Sequence, residues 1–147
     1  MSASRKIIWI VVGIVVIGLV ILLVANSSEN NGPVDNGDNH IIIISQEGSF
    51  TSQECEARGL AGKVIMLESA YCHACQSTKP TFLAACEAKG VIPIILDLAE
   101  AEDYAQMESY KINIQFTPTF IFGCDYYIGT KSQSDYENYL DKFLTGQ

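Results

Sequence analysis

The chain has 147 residues, 48% of them hydrophobic, and carries 17 acidic against 9 basic side chains, for a formal net charge of −8. A surface this acidic excludes nucleic acid as a natural partner. Once Arg5 and Lys6 are set aside, seven basic residues face seventeen acidic ones, a balance that also repels anionic lipid headgroups from the body of the protein.

The amino-terminal region reads first. Ile7 to Ala25 is a run of nineteen residues without a charge, mostly Ile and Val, long enough to span a bilayer core as one helix. A secretory signal peptide is the competing reading, since Ala25-Asn26-Ser27 offers small residues for cleavage. Signal h-regions, however, run only about 7–15 residues, which favours an uncleaved anchor. Arg5 and Lys6 precede the span and no Lys or Arg follows it until Arg58. The positive-inside rule then puts residues 1–6 in the cytoplasm and the rest of the chain outside, as a single-pass cell-membrane protein. Asn26 to Asn39 is rich in Asn, Ser, Gly and acidic residues and reads as a flexible tether with a span on the order of 20 Å.

Residues 40–147 suffice for one compact core and are too few for two ordinary domains. Ile41 to Ile44 reads as a strand buried on both faces. Thr51-Ser52-Gln53-Glu54 is a capping box that opens a short helix, with Gly59 as its stop. Lys63 to Leu67 is the next strand. A helix from about Cys72 to Lys89 follows, apolar at Phe82, Leu83 and Cys86, kinked by Pro80 and stopped by Gly90. Val91 to Leu98 reads as a strand interrupted at Pro93, and Asp97 to Tyr110 as a helix with acidic residues in its first turn. Thr119 to Phe122 and Tyr126 to Ile128 form a hairpin through Gly123-Cys124-Asp125. The last helix is capped by Ser134 with Glu137 and carries an apolar stripe of Tyr136, Tyr139, Leu140, Phe143 and Leu144. The order βαβαβαββα predicts an α/β domain with a mixed central sheet and helices on both faces, preceded by one transmembrane helix.

Cys72-His73-Ala74-Cys75, at the junction of a strand and a helix, carries the chemistry. A thiolate in the first turn of a helix is stabilised by unsatisfied backbone N–H groups and by the helix dipole, which makes Cys72 the nucleophile. Cys75 lies three residues on, close enough to close and reopen a small disulfide. A structural zinc site needs four ligands, and the chain has no second close cysteine pair, only single Cys55, Cys86 and Cys124 with His40 and His73. The leading reading for Cys55, Cys86 and Cys124 is small buried hydrophobes; a structural bridge such as Cys55 to Cys124 is the alternative. Cys86 is about 16 Å along the helix from Cys75 and out of disulfide reach.

The segment from Lys63 to Gly129 resembles the thioredoxin family. The residues that carry the likeness are Tyr71 before C-x-x-C, Pro80 five residues after Cys75, Asp97 at the end of the next strand, Tyr110-Lys111-Ile112 closing the next helix, and Thr117-Pro118-Thr119 opening the strand Phe120 to Phe122. The resemblance implies a thioredoxin-like fold in which the Thr117-Pro118 bond is cis and lies beside the dithiol. It also implies that Tyr71, Thr117 and Pro118 contact an extended client segment whose sulfur meets Cys72.

Two departures from the family bear on function. Its buried Asp, six residues before the first cysteine, is replaced by Met66. Glu68 lies on the same strand face and is the candidate to reach Cys75 instead; a solvated strand-end carboxylate is the alternative. His73-Ala74 replaces the Gly-Pro of reductive thioredoxins, and a histidine beside a thiolate tunes the couple toward oxidation, unless its imidazole simply faces solvent. The expectation is a membrane-tethered protein thiol-disulfide oxidoreductase. Cys72 and Cys75 exchange disulfides in extracytoplasmic proteins, His73, Ala74 and Glu68 tune the couple, and a membrane redox protein supplies or removes electrons. No organic cofactor and no metal is required. Two other readings stay open: a copper-handling module using Cys72, Cys75 and His73, and a non-catalytic domain that binds clients in the same groove.

Overall fold

A run of five residues that are all buried, Val64–Glu68, forms the centre of the domain and sets the position of everything around it. In the computed structural model, which describes residues 40–146, this strand is β3. The elements in chain order are β1 (Ile42–Ile44), β2 (Gly48–Ser49), α1 (Ser52–Ala57), β3, α2 (His73–Ala88), β4 (Ile94–Asp97), α3 (Ala101–Ser109), β5 (Ile112–Ile114), β6 (Thr119–Phe122), β7 (Asp125–Ile128) and α4 (Gln133–Thr145). The expected cytoplasmic segment 1–6, the anchor 7–25 and the tether 26–39 lie outside the described residues. Among the described residues no helix is long and apolar enough to cross a membrane.

The main sheet is mixed and five-stranded, in the order β2-β7-β6-β3-β4. β3 runs parallel to β4 and antiparallel to β6, β6 and β7 form the expected hairpin, and β2 adds to the far edge of β7. Because β3 has a strand on each side and helices above and below, both of its faces are apolar, as parallel and doubly covered strands require. The alternation of its side chains sorts the core into two layers. Ile65 and Leu67 join Ile44, Leu60, Met107 of α3 and Ile112 on one face. Val64 and Met66 join Cys75 and Phe82 of α2, Phe120, and Tyr136 and Leu140 of α4 on the other. Phe82 is the hub of that second layer, its ring 4.9 Å from Phe120 and 5.3 Å from Tyr136 in tilted and edge-on contacts.

Three expectations are corrected by the structure. β1 is not buried on both faces: Ile44 is 2% exposed, but Ile43 is 58% exposed. The reason is its pairing, since β1 stands outside the main sheet in a two-stranded parallel ribbon with β5. The cap of α4 is Ser132 rather than Ser134. The Ser132 side chain accepts the Asp135 N–H while the Asp135 carboxylate answers the Ser132 N–H, so the box begins two residues earlier. Cys55 and Cys124 are not free buried thiols; they form a disulfide that ties α1 to the turn between β6 and β7. The expected capping box at Thr51 and Glu54 is present. Helix α2 runs through Pro80, and Gly90 adopts a positive φ of 68° just past the end of α2.

Candidate active site

β3 ends at Glu68, and the chain turns through Ser69 to Tyr71 to start α2, which puts Cys72 at the N-cap of that helix. Cys72 has extended backbone angles, φ −94° and ψ 103°, and its Sγ takes the place a serine or aspartate oxygen usually fills: it accepts the Cys75 N–H at 3.1 Å. An N–H aimed at sulfur together with the positive helix end favours the thiolate when the bond is open. In this structure the two sulfurs are joined as a disulfide with Cα atoms 5.2 Å apart. The pair is asymmetric. Cys75 is fully buried in the layer of Met66 and Phe82, whereas Cys72 is half-buried.

The second wall comes from the segment before β6. The Thr117-Pro118 bond is cis, as the resemblance implied, and the Thr117 carbonyl oxygen lies 3.5 Å from Cys72 Sγ. Two bonds hold this segment in place: the Thr119 hydroxyl donates to the Phe116 carbonyl at 2.7 Å, and Gly129 N–H donates to the Pro118 carbonyl at 2.8 Å. Pro118 is buried, so the free backbone edge beside the sulfur is that of Thr117. Two aromatic side chains stand at the rim: Tyr71 is 90% exposed and Phe116 53% exposed.

Each remaining candidate has a defined place. His73 is exposed in the first turn of α2, and Ala74 is half-buried beside it. Glu68 is 8% exposed on the Met66 face of β3, and its carboxylate pairs with Lys79 of α2, one helical turn beyond Cys75. A buried carboxylate needs such a partner. Among the described residues no bond links Glu68 to Cys75. Cys86 is the free thiol among the described cysteines, buried on the same side of α2 as Cys75. No three His, Cys, Asp or Glu side chains among the described residues converge as a metal-binding group.

Sequence reasoning missed Lys79, Phe116 and Gln76. Lys79 could have been read from its i, i+4 spacing to Cys75, which places both on one helical stripe. Phe116 and Gln76 carry no local signal, because their importance comes from what the fold sets beside them. The chain matches no protein-family model and no curated protein.

Proposed function

We propose that this protein is a thiol-disulfide oxidoreductase of the thioredoxin-like kind, held at the outer face of a membrane by residues 7–25. The observation that carries the reading is the asymmetric dithiol. A half-buried Cys72 sulfur sits on the N-cap of α2 within 3.1 Å of a backbone N–H, its partner Cys75 is closed off in the core, and a backbone carbonyl of the Thr117 loop lies 3.5 Å away. An extended client chain laid along Thr117 brings its sulfur to Cys72, with Tyr71 and Phe116 as apolar contacts.

The chemistry balances as two exchanges. The Cys72 thiolate attacks one sulfur of a client disulfide, forms the Cys72–client bond and releases the other client sulfur as a thiolate, which takes up a proton. The Cys75 thiolate then attacks Cys72 Sγ, closes the Cys72–Cys75 bond and expels the second client thiolate. Two electrons have moved to the client, and the reverse sequence oxidises a client dithiol. The tether keeps the couple within reach of a membrane redox partner that resets it.

Replacing Cys75 with Ser removes the resolving sulfur, so Cys72 should accumulate clients as mixed disulfides that a reductant releases. The Cys72→Ser, Cys75→Ser double variant should accumulate none. Clients retained equally by both variants would make the domain a binder, and copper or zinc copurifying stoichiometrically with the reduced wild type would make it a metal carrier.

A further inference from the structure

Cys72 keeps its place on the helix terminus only if the turn before it is fixed, and that turn is held by more than its own backbone. Within it, Cys72 N–H donates to the Ser69 carbonyl at 2.9 Å and Tyr71 N–H to Ser69 Oγ at 3.3 Å. The backbone of Ala70 is held at both of its peptide groups: its N–H donates to Asp97 Oδ1 at 3.0 Å, and its carbonyl accepts from Gln76 Nε2 at 2.9 Å. Asp97 ends β4 as the register partner of Glu68 and is itself fixed, because its N–H donates to Asp103 Oδ2 in the first turn of α3 at 2.8 Å. Leu98 N–H donates to the Glu68 carbonyl at 2.8 Å, which locks the two strand ends together. The ends of β3, β4 and α2 thus meet at the two peptide groups that flank Ala70, two residues before the attacking sulfur, with α3 bracing Asp97. None of these bonds reaches a sulfur atom.

We propose that Asp97 and Gln76 are positioning residues for disulfide exchange, clamping the backbone on either side of Ala70 so that Cys72 Sγ stays aligned with the Cys75 N–H. The proposal rests on the exchange reading above. It assigns the carboxylate of Asp97 a task opposite in sign to that of its charge. A negative group near the turn opposes a thiolate, whereas an acceptor that fixes the turn supports it.

The test uses the full chain, reduced, in detergent, with the alkylation rate of Cys72 at neutral pH followed by mass spectrometry and the redox equilibrium with glutathione measured alongside. Asp97→Ala and Gln76→Ala should each slow alkylation about threefold, the size of one lost helix-terminus interaction, and shift the equilibrium toward the disulfide by a similar factor. Asp97→Asn keeps an oxygen acceptor at the same place and should restore the wild-type rate. Faster alkylation in both Asp97→Ala and Asp97→Asn would overturn the clamp in favour of a simple charge effect, and unchanged rates in Asp97→Ala and Gln76→Ala would overturn it outright. Gln76 lies on an exposed helix surface, so its variant keeps the test decisive if Asp97→Ala fails to fold. A wild-type Cys72 no more reactive than an unfolded cysteine would instead defeat the exchange reading.

Discussion

Burial leaves Cys86 1% exposed and pushes its thiol up to about 11, because a thiolate there would lose its hydration with no partner to replace it. Cys72, almost four helical turns away at the N-cap of the same helix, has the opposite surroundings: it is half-buried, and a backbone N–H points at its sulfur. Alkylation of the reduced protein at neutral pH should therefore modify Cys72 first and leave Cys86 untouched until a denaturant is added. Peptide mapping by mass spectrometry checks this, and native labelling of Cys86 would contradict it. At this scale the sequence was informative where chemistry is local. C-x-x-C at a strand-to-helix junction, with no second cysteine pair to complete a zinc site, pointed to Cys72 and Cys75, which the structure joins as a disulfide. It was silent where a residue's partner is distant. Glu68 reads either as a candidate to reach Cys75 or as a solvated strand-end carboxylate, and its carboxylate meets Lys79, a neighbour only because α2 packs over β3.

At the scale of elements, the Cys55–Cys124 disulfide closes a loop of 69 residues and holds α1 against the β6–β7 turn. In the chain-entropy account a loop of that length stabilises the folded state by about 4 kcal/mol. The Cys55→Ala, Cys124→Ala variant should lose stability of that order in denaturant titration while its Cys72–Cys75 couple still exchanges. Loss of exchange in a folded variant would show that the two disulfides are coupled. Helices and long strands were legible because capping boxes and apolar periodicity are written within a few residues, as at Thr51 and Glu54. β2 and β5 were not, since two or three residues carry no period. They exist only because β7 and β1 offer them a partner edge. Ser132 and Ser134 both satisfy the pattern of a capping serine. The geometry chose Ser132, whose backbone is extended and whose box partner, Asp135, can answer its N–H.

At the scale of the whole molecule, acidity shapes the pH response. Glu47 is held below the usual carboxylate range by its bond to Lys131, Glu54 by the backbone and hydroxyl of Thr51, and Asp135 by the hydroxyl and backbone of Ser132. Each ionises more readily folded than unfolded, so the stability they add is present above about pH 4.5 and is lost as pH falls through their folded values. Burial raises Tyr127, Tyr136 and Tyr139, so the stability tied to their neutral form is present below about pH 10 and is lost as pH rises beyond it. Thermal melts should give a plateau between these limits with a falling limb on each side; a maximum near the sequence pI of 4.6 would contradict the assignment. The α/β architecture with helices on both faces followed from the alternation of elements, because a helix after each apolar strand leaves few ways to bury both. The separate β1–β5 ribbon did not, as sheet membership depends on edges that periodicity does not encode. The claim on which the functional account turns is that one of two disulfides is built for exchange. Equilibrating the full chain across a series of glutathione redox buffers and mapping each cysteine by mass spectrometry tests it directly. The account predicts that Cys72–Cys75 opens and closes within that range as one two-electron couple while Cys55–Cys124 stays oxidised; a Cys72–Cys75 bond as resistant as Cys55–Cys124 would contradict it.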